Sequence, residues 1–269
     1  MDNRPIGVFD SGLGGLTAVK ELMYQLPNES IVYFGDTGRV PYGTRSNETI
    51  TKYVFQDVRF LLNFDIKLII IACGTASSVA LEAVKKEFDI PIIGVVQSAA
   101  AKAVKVSTQK NIGIIGTQGT INSGSYERKI KQIDHLAATF AKACPLFVPL
   151  VENGYLDHEV TRLIAQEYLQ PLKEKHVDTI IMGCTHYPLL KRTIADIMGE
   201  NVNLIDPGAE TAKYVKKLLK EKDMLAEAGA KPKYKYFVSD SIESFSKLGS
   251  LFLEKKINES VEKIDIEKY

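Results

Sequence analysis

Two cysteines stand in matching surroundings: Leu68-Ile-Ile-Ile-Ala-Cys73-Gly-Thr75 and, 111 positions on, Thr179-Ile-Ile-Met-Gly-Cys184-Thr185-His186. One cysteine after an apolar run reads equally well as a small buried hydrophobe. Two in equivalent places read as a pair of bases. Each precedes residues that look like a helix start, whose positive dipole lowers a nearby thiol from its usual pKa of about 8.5, so both are expected to ionise near neutral pH. A thiolate on each side of a substrate suits stereoinversion at a carbon acid: one removes the α-proton and the opposite thiol protonates the other face, with no redox change.

The difficult step makes a carbanion beside a carboxylate, so the substrate's oxygen and nitrogen atoms need preorganised partners. The segments Asp10-Ser11-Gly12, Pro41-Tyr42-Gly43, Gly74-Thr75, Thr117 to Thr120 and Thr185-His186 supply them, Thr117 and Thr120 by their hydroxyls. Asp10 is suited to orienting an ammonium group or assisting Cys73. His186 is suited to exchanging protons with Cys184 or with substrate. Glu152 reads either as an exposed loop carboxylate or as a partner of His186. Cys144, in Ala143-Cys-Pro, reads as core packing.

To position these groups the chain alternates short Val/Ile-rich runs with segments of helical period, the pattern of βα units around parallel sheets. Strands are predicted at 5–9, 31–34, 68–72, 92–95, 112–115, 179–182, 202–205 and 234–238. Val54, Val58, Leu61 and Leu62 make one apolar stripe on a helix that Ser46 or Asn47 caps. Phe245, Leu248, Leu251 and Phe252 make a second, leaving only the last few residues loose. Ligands of parallel sheets bind beyond the carboxyl ends of the strands, so Asp10, Asp36, Cys73, Thr117 and Cys184 are expected to share one cleft. Ile6-Gly-Val-Phe-Asp-Ser11 is echoed by Ile112-Gly-Ile-Ile-Gly-Thr117, offset by 106. With the cysteine echo this indicates a duplicated α/β unit: two similar domains related by a pseudo-two-fold, 1–97 plus 207–269 and 98–206, with the active site between them.

The charge balance, 34 Lys plus Arg against 33 Asp plus Glu, offers no field for a polyanion, so nucleic acid is not an expected partner. The apolar runs fall far short of the roughly 20 residues of a membrane span. The start of the chain lacks the pattern of a signal peptide, and three cysteines make no disulfide framework, which together suggest the cytoplasm. Asp10-Ser-Gly-Leu-Gly-Gly15 imitates a dinucleotide fingerprint, but Thr17 occupies its third glycine position. No phosphate loop and no cysteine cluster of zinc spacing is present, so no metal or cofactor is expected. The lysine-rich stretch from Lys213 to Lys235 reads as a solvated helix and loop.

Five segments together are similar to glutamate racemases: Gly7-Val-Phe-Asp-Ser-Gly-Leu-Gly-Gly-Leu16, Tyr33 to Gly43, Ala72-Cys-Gly-Thr-Ala-Ser77, Pro145 to Glu152 and Gly183-Cys-Thr-His-Tyr-Pro-Leu-Leu190. The resemblance spans about Ile6 to Asp206. It implies two α/β domains, interconversion of L- and D-glutamate without pyridoxal phosphate or metal, supply of D-glutamate for peptidoglycan, and a homodimer. It also implies that Cys73 and Cys184 are the two acid/base residues. Asp10, Ser11, Tyr42, Gly43, Thr75, Thr185 and His186 match the positions that bind substrate or assist. Gly74 departs from it, since the family usually has Asn there. On that basis Gly74→Asn is expected to restore an amide donor and improve catalysis. The first motif starts at Ile6, so the activation tied to an N-terminal extension in some enteric members is not expected. An aspartate racemase is the alternative enzyme, disfavoured by His186. A binding protein with impaired catalysis is the alternative of another class, and Gly74 is its only support.

Overall fold

A computed structural model of the chain describes residues 1–257 and 261–269. Among the described residues ten parallel-paired strands form two sheets: β1 (Ile6–Asp10), β2 (Ile31–Gly35), β3 (Leu68–Ile71), β4 (Ile92–Gly94), β5 (Asn111–Gly116), β6 (Ala138–Ala143), β7 (Thr179–Met182), β8 (Asn203–Ile205), β9 (Tyr234–Val238) and β10 (Val261–Lys263). The six-stranded sheet runs β10-β9-β2-β1-β3-β4 and the four-stranded sheet β6-β5-β7-β8. Read from β2 and from β6, the two orders are the same, so β1 corresponds to β5 and β3 to β7. Twin sheets of one topology are what a duplicated α/β unit produces.

Helices cover the sheet faces, which is why the central strands are apolar on both sides: β1, β2, β3 and β7 are buried at every position. The helix Asn47–Leu61 starts at Ser46, whose side chain accepts from Thr49 N, and packs Val54, Val58 and Leu61 inward. Leu62 departs from the expected stripe. The helix ends at Leu61, and Leu62 turns outward in a 3-10 turn. The helix Pro207–Glu221 buries Ala212, Val215 and Leu219, and its lysines occupy the outer side. The chain beyond it returns to the first sheet, where β9 pairs with β2.

Two strands escaped the sequence pattern. β6 (Ala-Thr-Phe-Ala-Lys-Ala) and β10 (Val-Glu-Lys) are half-exposed edge strands that need no continuous apolar run. The C-terminus, expected to be loose, is held. Ile266 is buried, the Tyr269 ring packs edge-on to Phe60 at 5.3 Å, and Glu267 accepts from Arg39. Among the described residues no helix is long and apolar enough to cross a membrane.

Candidate active site

Strand register decides which loops meet. Asp10 pairs with Gly35 and Phe9 with Ile71, so Asp10-Ser11 and Cys73-Gly74 leave the first sheet at one edge. Ile115 pairs with Met182, which puts Thr117 and Cys184 at the matching edge of the second. The two edges abut. Thr17 Oγ1 donates to the Thr185 carbonyl (3.0 Å), Ser78 and Ser125 share a hydrogen bond (2.7 Å), and Thr75 Oγ1 lies 2.9 Å from Thr117 Oγ1 and 3.3 Å from Thr120 Oγ1.

Cys73 caps the helix Gly74–Glu87. Its sulfur accepts from Ala76 N (3.4 Å) and its thiol donates to Ser11 Oγ (3.4 Å). The expected thiolate is not found there. Burial and the nearby Asp10 carboxylate push Cys73 up to about 12, outweighing the helix start and the Ser11 hydrogen bond. Cys184, unlike Cys73, has no α-helix start beside it, because the chain continues into a 3-10 turn, Tyr187–Leu190. Its partner is His186, with Nδ1 3.8 Å from Cys184 Sγ and Nε2 2.9 Å from Glu152 Oε1. Of the two readings of Glu152, the pairing with His186 is the one the structure contains. Burial alone would lower the imidazole. The hydrogen bonds to Cys184 and Glu152 win and raise it to about 10, which favours the imidazolium form. The edge of the Phe252 ring packs on it at 5.2 Å, closing it from solvent.

Because His186 titrates higher folded than unfolded, its contribution to stability is complete below about pH 6.5, declines above it, and is lost as pH rises through about 10. Denaturant unfolding followed against pH is expected to show this alkaline decline. His186→Asn is expected to flatten it.

Asp10 Oδ2 accepts from Gly12 N (3.0 Å), while its buried Oδ1 has no hydrogen-bond partner among the described residues. Burial raises this carboxyl, and the charge on His186 opposes that. An unpaired buried acceptor is costly, and a ligand ammonium would satisfy it. Asp36, expected in the cleft, is engaged elsewhere, by Arg39, Tyr42 and Ser239. The Tyr42 side chain is buried in that same cluster, so its backbone and that of Gly43 are what the turn offers to the cleft. Pro41 is exposed and has no N–H to give. Cys144 is buried, with its carbonyl accepting from Tyr187 Oη, as core packing requires. Thr17 and Phe252 were not read as site residues. The signal for Thr17 was present as a hydroxyl where a dinucleotide loop keeps glycine.

The two halves meet so closely that side chains are excluded at several points. A Cβ at Gly14 would overlap Thr185 and His186, and one at Gly43 would lie 2.9 Å from Thr117 Cβ. A Cβ at Gly74 would overlap the carbonyl oxygen of Gly183, the residue before Cys184. This reverses the expectation for Gly74→Asn, because the restored amide has no room in the closed cleft. Overpacking typically costs about 1–3 kcal/mol. Steady-state kinetics of Gly74→Asn are therefore expected to show kcat/KM reduced about tenfold or more instead of improved. A small cavity of about 10 Å³, room for one water molecule, lies behind the junction between Thr17, Gly74, Cys184 and Asp206.

The family model for Asp/Glu/Hydantoin racemases matches residues 18–215. The chain belongs to this family. A relative from Geobacter metallireducens named glutamate racemase is 46% identical over 95% of each chain. Among solved structures, the glutamate racemase isoform RacE1 of Bacillus anthracis superposes with a TM-score of 0.95 at 40% identity over 98% of each chain. That of Francisella tularensis in complex with D-glutamate gives 0.93 at 39% over the whole of both. The family model ends before β9, whereas the superposition with the Francisella tularensis structure also covers the C-terminal strands that complete the first sheet.

Proposed function

We propose that the protein interconverts L- and D-glutamate by two-base proton transfer between Cys73 and Cys184, without pyridoxal phosphate or metal. The observation that carries this reading is the placement of the two cysteines after corresponding strands, β3 and β7, of twin sheets whose edges meet. Each sulfur has its own proton partner, Ser11 for Cys73 and His186 for Cys184. They are near enough that a charge on Cys184 raises Cys73. The relatives' glutamate activity supports the substrate.

In the proposed cycle the His186 imidazolium supplies the counter-charge for a thiolate at Cys184, and Cys73 rests as a thiol. The thiolate takes the α-proton and the electron pair stays on the α-carbon beside the carboxylate. Cys73 then delivers its proton to the opposite face. The enantiomer leaves, and the enzyme is left with the protonation states of its cysteines exchanged, ready for the reverse reaction. Asp10 holds the substrate ammonium. Backbone N–H groups of Ser11, Tyr42, Gly43, Gly74 and Thr75, with the hydroxyls of Thr117, Thr120 and Thr185, hold its carboxylates. Glu152 keeps His186 charged and oriented. On the same reading the D-glutamate supplies peptidoglycan, and the protein works in the cytoplasm as a homodimer, with residues 1–97 plus 207–269 and 98–206 as its two domains.

Circular dichroism of L-glutamate, D-glutamate and L-aspartate with reduced, chelator-treated protein and no added cofactor tests the activity. Decay of the signal from both glutamate enantiomers, and not from aspartate, is expected. Turnover of aspartate alone would overturn the substrate assignment.

A further inference from the structure

Behind the Tyr42–Gly43 turn lies a polar cluster that proton exchange at the cysteines does not use. Asp36 and Asp57 are both fully buried. A single guanidinium serves them: Arg39 Nε donates to Asp36 Oδ2 (2.7 Å) and Nη2 to Asp57 Oδ1 (3.2 Å). Arg39 Nη1 also reaches Gln56 and Glu267, and its plane lies 4.0 Å over the Tyr53 ring. Ser239 Oγ donates to Asp36 Oδ1 (2.8 Å). Tyr42 Oη lies 2.5 Å from Asp36 Oδ2 and 3.1 Å from Asp57 Oδ2.

A phenol has one hydrogen, and it cannot be given to two carboxylates. The second contact becomes a hydrogen bond only if one acid keeps its proton. Asp36 has the shorter contacts, from Arg39 and Ser239, and is the better site for the negative charge. We propose that Asp57 is a neutral carboxylic acid that donates to Tyr42 Oη while Tyr42 donates to Asp36, and that this relay positions the substrate-binding turn. Burial, followed by the charge of Asp36, holds the Asp57 carboxyl well above the usual carboxylate range. The turn so held is a contact between the halves, since Gly43 abuts Thr117 and the Gly43 carbonyl faces Gly119. Asp57 is thus a positioning residue, acting through Tyr42. Its kinetic consequence rests on the reading of the cleft as a glutamate site, whereas its protonation does not.

The experiment combines infrared spectroscopy with kinetics. At neutral pD the wild-type spectrum is expected to contain a protonated-carboxyl band that Asp57→Asn removes and that Tyr42→Phe shifts in frequency, because the acid loses its acceptor. Loss of ionised-carboxylate bands in Asp57→Asn, or an unshifted acid band in Tyr42→Phe, overturns the proposal whether or not the protein racemises glutamate. Asparagine reproduces both hydrogen bonds of the neutral acid, so Asp57→Asn is expected to keep KM for glutamate within about twofold of wild type. Asp57→Leu is expected to raise KM about tenfold with a smaller change in kcat. An equal rise in both variants overturns the neutral-acid assignment.

Discussion

Cys73→Ala is expected to lose racemisation of both glutamate enantiomers by at least about 10³-fold, and Cys184→Ala to do the same, because each turnover needs a base on one face and an acid on the other. The two losses should be distinguishable with a β-substituted glutamate analogue that carries a leaving group. Elimination needs only the proton-abstracting residue, so each variant should retain it for one enantiomer, and the two variants for opposite ones. Racemisation by Cys73→Ala at the wild-type rate would rule out the two-base scheme. Burial of both thiols keeps alanine a small perturbation of packing, so melting temperature serves as a control.

His186→Asn is expected to lower kcat/KM by about 10²- to 10³-fold, the usual range for a group that assists proton transfer. The equilibrium constant of a racemisation is one, so kcat/KM must fall equally for L- and D-glutamate. The asymmetry of the site appears instead in the α-deuterium isotope effect, which should rise more for the enantiomer whose proton goes to Cys184. Glu152→Gln should produce a milder version of the same pattern. It leaves a hydrogen-bonding group on Nε2 but removes the charge that helps raise His186. Equal isotope effects for the two enantiomers in His186→Asn would mean that His186 does not serve one cysteine in particular.

Residues with a strong local signature were legible in the sequence. Central strands such as β3 and β7 are apolar because both faces are covered, and the two cysteines lay at the ends of these strands. The echo between Leu68–Thr75 and Thr179–His186 corresponds to two strands in equivalent places of two sheets. Properties that depend on what surrounds a residue in three dimensions were not legible. The helix start after Cys73 is real, but the desolvation that keeps its thiol protonated comes from packing across the whole junction. His186 and Glu152, 34 positions apart, could be paired only as one of two alternatives. Gly74 looked like a missing donor because its spatial neighbour, the Gly183 carbonyl, lies more than a hundred residues away in the chain. The same holds for Asp36, whose partners Arg39, Tyr42 and Ser239 draw it away from the cysteines.

The close contact of the two halves at Gly14 and Gly43 also bears on how tightly any ligand can be held. If a ligand binds only to molecules whose halves have separated, its apparent dissociation constant is the intrinsic one divided by the fraction open. If one molecule in a hundred is open, a ligand of intrinsic nanomolar affinity registers as about 100 nM. Substitutions that prop the halves apart at Gly14 or Gly43 would then tighten the measured binding of substrate analogues while slowing turnover. Tight binding and fast catalysis would therefore make opposite demands on the same glycine contacts.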